Sequence, residues 1–257
     1  MKWLLDSSQK KKDIRLKYIK YHFSTRVFFL IYILYFQMVS NIPATRNKNF
    51  QYLANEITMK ISGIGEQKII SSDDIICPDT IYINGQQITI NQINCRNIDL
   101  NTFYTSNNTI IISWNESLDD IHEMLANLTN IIEIDLSNFN TSSVFNMSNM
   151  FNGCKSLISI NLENLNTLSV KDMTRMFSNC SALTELDLSS FITPQVINMS
   201  RMFCGCNGLK ILKIQNFITS NVINMSAMFS DIFLLDSLNV SNFDTSKVIT
   251  MDNMFRG

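Results

Sequence analysis

Histidine is nearly missing from this chain: of 257 residues only His22 and His122 carry an imidazole. His122 stands alone in its stretch of sequence, so no Ser/His/Asp or Cys/His catalytic set and no histidine-based metal site is expected. Charge is also sparse. Asp, Glu, Lys and Arg make up 17 % of the chain, so Asn, Ser and Thr must supply much of the polar surface. The charges are unevenly placed. Residues 1–26 hold eight Lys/Arg against Asp6 and Asp13, a net of +6, and leave the remainder at −7. An acidic body excludes nucleic acid as the expected partner, because phosphate recognition needs a basic face. Six cysteines are too few for a disulfide-dense scaffold at this length. The motifs of common cofactor sites are missing too. Gly63-Ile64-Gly65 is too short for a nucleotide fingerprint, and Asp73-Asp74 and Asp119-Asp120 lack metal-loop spacing. No enzymatic activity, cofactor or metal is expected.

A long apolar run is the last thing lacking. The best candidate, "VFFLIYILYFQMV" at 27–39, is shorter than the roughly 20 residues of a bilayer-spanning helix. Placed after a basic segment, it reads as the core of a secretory signal peptide. An uncleaved signal anchor with its basic end in the cytosol is the competing reading. Either way, residues 1–44 are expected to be a sorting segment, and the body to be secreted or displayed at the cell surface.

What the chain has in abundance is a repeat. "NMSNMF" at 146–151 returns as "DMTRMF" (172–177), "NMSRMF" (198–203), "NMSAMF" (224–229) and "TMDNMF" (250–255), always 26 residues on. The same register carries "IIEIDLSNF" (131–139), "LISINLENL" (157–165), "LTELDLSSF" (183–191), "LKILKIQNF" (209–217) and "LDSLNVSNF" (235–243). A Thr follows two positions on and a Val three later, and no insertion breaks the phase from Ile131 onward. A weaker unit, with Ile121, Met124 and Leu125, comes before.

Each unit has a physical reading. Met147, Met150, Phe151, Cys154 and Leu157 fall at i, i+3, i+4, i+7 and i+10, the apolar stripe of a short helix, with Asn146 as its N-cap. Ile160 and Leu162 then alternate with Ser159 and Asn161, as in a short strand with one face inward. Met173, Met176 and Phe177, Met199, Met202 and Phe203, and Met225, Met228 and Phe229 repeat the inward set. Methionine fills irregular space between stacked units well. A thioether copper site is the sharper alternative, but the partner at each pair is a packing Phe rather than a His. Cys154, Cys180 and Cys206 share the inward stripe and read as buried thiols. Cys77 and Cys95 lie outside the repeats and form a candidate disulfide.

The pattern L-x-x-L-x-L-x-x-F-x-T-x-x-V-x-x-M-x-x-M-F-x-x-C, seen in "LTELDLSSFITPQVINMSRMFCGC" (183–206), resembles the BspA-like leucine-rich repeat surface proteins over about 121–257. That family, found in bacteria and protists, is mostly secreted or cell-surface and associated with adhesion. The resemblance implies a right-handed leucine-rich-repeat-like solenoid with no catalytic residues to carry over. Leu165 replaces the Phe in one unit and Ile232 the Cys in another.

The expected fold is therefore an α/β repeat, a solenoid of one short strand and one short helix per 26-residue unit over 116–257. Residues 45–115 are expected to form a β-rich N-terminal cap, with a hairpin around Asn84-Gly85. Outward strand positions form the candidate ligand face: Glu133, Asp135, Asn161, Glu185, Asp187, Lys213 and Asn239. The expected partner is a protein or glycan on a cell surface or matrix. A strand near Leu235–Val240 would end the stack with an open edge, which predicts self-association, unless the chain is a fragment. A structural, self-assembling surface protein is the alternative function.

Overall fold

The computed structural model describes residues 55–63, 66–89, 97–99 and 106–257. The basic leader and apolar run, within 1–44, lie outside them, as does Cys95. Ten strands and no helix occur among the described residues: β1 Asn55–Ser62, β2 Glu66–Lys68, β3 Thr80–Ile83, β4 Gln86–Ile88, β5 Asn97–Asp99, β6 Asn107–Trp114, β7 Ile131–Asp135, β8 Ser159–Asn161, β9 Glu185–Asp187 and β10 Ile211–Lys213. The main sheet is mixed and six-stranded, in the order β4-β3-β6-β1-β7-β8. β9 pairs with β10, and β2 with β5, in two further small sheets.

Strand alternation builds the first part. Ile57, Met59 and Ile61 of β1 and Ile110 and Ile112 of β6 are fully buried on one face, and the two strands pair antiparallel along their full lengths. Asn84 and Gly85 both take positive φ (50° and 83°), so the β3–β4 hairpin turns as the Asn-Gly signal predicts. β1 also pairs antiparallel with β7, so the sheet of residues 55–114 continues into the first repeat.

The expectation of an α/β leucine-rich-repeat-like solenoid with a helix in every unit is overturned. The fold is β-rich, its sheet is mixed, and each methionine segment is a series of turns. The reason lies in where the backbone donors go. In a helix every N–H would bond to the carbonyl four residues back. Here alternate N–H groups leave the unit: those of Met147, Asn149, Phe151 and Gly153 bond to the carbonyls of Asp172, Thr174, Met176 and Ser178. Those of Met150, Asn152 and Cys154 close tight turns onto residues three back. Left-handed residues make this possible. Asn149, Arg175, Arg201, Ala227 and Asn253 have φ of 52–56°, a conformation that ends a right-handed helix within one turn. The predicted N-caps keep their side-chain role without a helix behind them. Asn146, Asp172, Asn198 and Asn224 each accept the N–H two residues on, at 2.8–3.0 Å.

The parallel strands do not form one ladder. β7 pairs with β8 and β9 with β10, while the segment expected as a strand near Leu235–Val240 is irregular. Side chains link the units as well. The hydroxyl of Thr193, fully buried, donates to the Ile218 carbonyl (2.9 Å) and accepts its N–H (2.9 Å). Thr141, Thr167 and Thr219 repeat this two-way bond.

Candidate functional site

The candidate face follows from strand parity. Leu186 and Leu212 point inward, so Glu185, Asp187 and Lys213 point out, and all three are exposed. The parallel register sets Lys213 beside Asp187 and Ile211 beside Glu185. The Lys213 ammonium reaches Asp187 at 2.9 Å and Glu185 at 3.2 Å. Glu133 on β7 is exposed and meets Lys60 of β1 at 2.5 Å. Glu133, Glu185, Asp187 and Lys213 are thus paired across strands, whereas Asp135 has no ion pair among the described residues.

The second row has a structural task. Asp135, Asn161, Asp187 and Asn239 are all exposed. Each accepts the backbone N–H two residues on, from Ser137, Glu163, Ser189 and Ser241, at 2.9–3.1 Å. These side chains close the turn after each strand. Hydrogen bonds from Ser189 and then Lys213 hold the Asp187 carboxyl down at about 2. A ligand on this face would meet a rigid surface of preformed pairs, with spare acceptor capacity on the carboxylates.

The inward set is the core. Met147, Met150, Phe151, Met173, Met176, Phe177, Met199, Met202, Phe203, Met225 and Met228 are fully buried, and Phe229 nearly so. The phenylalanines stack unit on unit, Phe151–Phe177–Phe203–Phe229–Phe255, at centroid separations of 5.2–6.1 Å. The thiols of Cys154, Cys180 and Cys206 are free and buried, and each donates to the carbonyl of Leu125, Phe151 or Phe177. Burial pushes Cys154 and Cys206 up to about 12 and raises Cys180 well above the ordinary thiol value, so none is a nucleophile. Cys77 is disulfide-bonded.

Two groupings escaped the sequence reading. His122 is not isolated: its Nδ1 lies 2.8 Å from Asp120 and its Nε2 3.4 Å from Asp74. The Asp120 hydrogen bond raises its pKa, against partial desolvation. These residues, with Ile75, Ile76 and Leu118, edge a cavity of about 360 Å³. The contact with Asp74 spans nearly fifty residues, which local spacing cannot reveal. The second grouping is a polar groove on the methionine turns that contains Arg175 and Arg201. Their shared 26-residue register was the available signal. Among the described residues, no cluster of three or more His, Cys, Asp or Glu could hold a metal ion, and no helix is long and apolar enough to cross a membrane.

No curated protein and no solved structure matches the chain. One family model does, over residues 97–211 and again over 184–257, so its two matches span all the repeats and more than half of the chain. The double match agrees with a unit that recurs in phase, and the chain belongs to the family described as Mycoplasma protein of unknown function, DUF285.

Proposed function

We propose that the chain is a non-enzymatic binding or adhesion module, secreted or displayed at the cell surface, whose ligand is a protein or glycan of another cell or matrix. One observation carries this reading: units locked by backbone and threonine bonds hold rows of exposed polar side chains in fixed register. Such a surface costs little ordering entropy when it binds. The basic segment ahead of the apolar run supports export, and the resemblance of the repeat to BspA-like surface proteins supports adhesion. The test is a screen of the purified chain against protein, glycan and intact-cell surfaces, with protease treatment of producing cells. Saturable capture and loss of the chain to external protease are expected. Full protection inside cells, with no capture on any surface, would sink the reading.

A structural, self-assembling role is the second reading. An exposed apolar row favours it, formed by Phe145, Ile197, Ile223 and Ile249 at one repeat position, although Lys171 interrupts the row. Light scattering separates the two: concentration-dependent assembly without ligand capture supports the second.

A further inference from the structure

The methionine turns carry a groove on a surface separate from the candidate strand face. Its cavity, about 320 Å³, is lined by Arg175, Arg201 and Arg256 among others. Two lining hydroxyls, Ser178 and Ser230, are each 3 % exposed. One carboxylate lines it, Asp231, which already accepts the Ser230 hydroxyl at 2.7 Å. None of the three guanidiniums has a hydrogen-bond or ion-pair partner among the described residues, whereas Lys60 and Lys213 on the strand face are paired. In a body of net negative charge, this groove concentrates unneutralised cations.

Its shape follows from the register. Lining residues come from five successive units, Asn152 in the first and Asn253 in the last. At about 4.8 Å per parallel step, the groove extends roughly 19 Å. Guanidiniums stand at its second, third and fifth steps, carboxamides at the first, second and fifth, and Ser230 and Asp231 at the fourth. Guanidinium is the side chain best suited to planar recognition of carboxylate or sulfate oxygens. The backbone there has no free edge for an extended peptide, since the N–H groups of Arg175, Phe177, Arg201 and Phe203 are bonded to the next unit. No aromatic side chain lines the groove, so it has no platform for stacking a base.

We propose that this groove binds a linear anionic glycan, with its sulfate or carboxylate groups on Arg175, Arg201 and Arg256 and its hydroxyls on the interleaved serines and asparagines. The proposal rests on the reading of the chain as a binding module and names a ligand class for it. Left-handed backbone at Arg175 and Arg201 (φ 52° and 55°) aims both side chains from one repeat position. Ala227 adopts the same conformation at that position (φ 53°), so alanine there fits the backbone.

The full chain is titrated with heparin, hyaluronan and neutral dextran, with intact-cell capture measured in parallel. Binding to heparin, hyaluronan or both is expected, weakening with salt, and none to dextran. Heparin alone identifies sulfate as the anchor, and equal binding of both polymers identifies carboxylate as sufficient. The double variant Arg175→Ala/Arg201→Ala is expected to bind at least about tenfold more weakly at an unchanged Tm. Arg175→Lys/Arg201→Lys should fall between it and the parent. The assignment is overturned if neither polymer binds, or if binding survives the double alanine change. Should intact cells still capture the chain then, the broader binding reading stands without the groove. Polymer binding lost in the variant, with no cell capture by the parent and full protection from external protease, would uphold the groove and overturn the display of the chain outside the cell.

Discussion

The antiparallel strands of residues 55–114 and the repeats that follow satisfy their backbones in different ways. β1 and β6 are eight-residue strands whose N–H and C=O groups face each other along a continuous ladder. In the repeats the strands are mostly three residues long, and about half of the other backbone bonds run from one unit to the next, the rest closing turns within a unit. The first region makes most of its pairings within itself, through the β3–β4 hairpin and the longer-range pairing of β6 with β1 and β3. A repeat unit has no such independence, since its donors, threonine and phenylalanine all need a neighbour. Both regions bury apolar residues fully at their centres. What differs is how many segments must be in place before any one of them is satisfied.

The sharpest way to break that comparison is Phe177→Ala. Phe177 stacks on Phe151 and Phe203, so the cavity opens in the middle of a stack, and a loss of about 3–5 kcal/mol is expected in urea unfolding. Ile112→Ala in β6 should cost about 2–5 kcal/mol. Hydrogen exchange distinguishes them further, since Phe177→Ala should speed exchange in the units on both sides. If its effect stays within one unit, the interdependence is wrong.

Thr193→Val comes next. It leaves both the carbonyl and the N–H of Ile218 without their partner, at about 1–3 kcal/mol each if they stay dry. A melting change no larger than that of an exposed Thr→Val would refute the two-way bond.

A glycine pair compares the two regions directly. Gly205 (φ +75°) and Gly85 (φ +83°) are both left-handed, but a Cβ at Gly205 meets the Asn179 carboxamide oxygen at 2.5 Å, while one at Gly85 meets nothing within 4 Å. Gly85→Ala should cost about 1–2 kcal/mol from backbone conformation alone. Gly205→Ala should cost more, and Asn179→Gly in the same chain should recover the excess. Equal losses at the two glycines would mean that neighbouring units are not in close contact there.

Smaller effects are expected from charge. His122 has a raised pKa in the folded chain. Its bonds to Asp120 and Asp74 therefore stabilise fully below about pH 6.5, the unfolded value, and that contribution is lost as pH rises through the higher folded value. His122→Gln should flatten the slope of stability against pH above that point. Asp187 runs the other way. Its contribution is present above about pH 4 and is lost as pH falls towards about 2. At neutral pH Asp187→Asn should change stability by less than about 0.5 kcal/mol, because an amide oxygen can still accept the Ser189 N–H, as Asn239 does from Ser241.

Much of the candidate face was legible. Inward and outward strand residues follow from parity, and the exposed side chains of Glu133, Asp135, Glu185 and Asp187 lie where alternation puts them. Their pairing was not, because Lys60 and Glu133 meet only through the β1–β7 register. The turn-closing role of Asp135, Asn161, Asp187 and Asn239 is local, within two residues, and was available as an Asx-turn signal. Helix was the wrong inference for the methionine segments because apolar spacing of i, i+3, i+4 reports which side chains go inward, not which carbonyl each N–H chooses.

The sequence by itself determined the 26-residue phase, the inward methionines and phenylalanines, and the Asn-Gly hairpin. Each rests on side-chain identity at fixed spacing, a short-range property of the chain. Only the tertiary structure decided between helix and turn. With a neighbouring unit alongside, N–H groups bond across the gap instead of along the chain, and residues as ordinary as Arg175 and Ala227 are held left-handed. Neither has a strong local preference for that conformation. The bonds gained from the next unit offset its cost, and no single unit contains them.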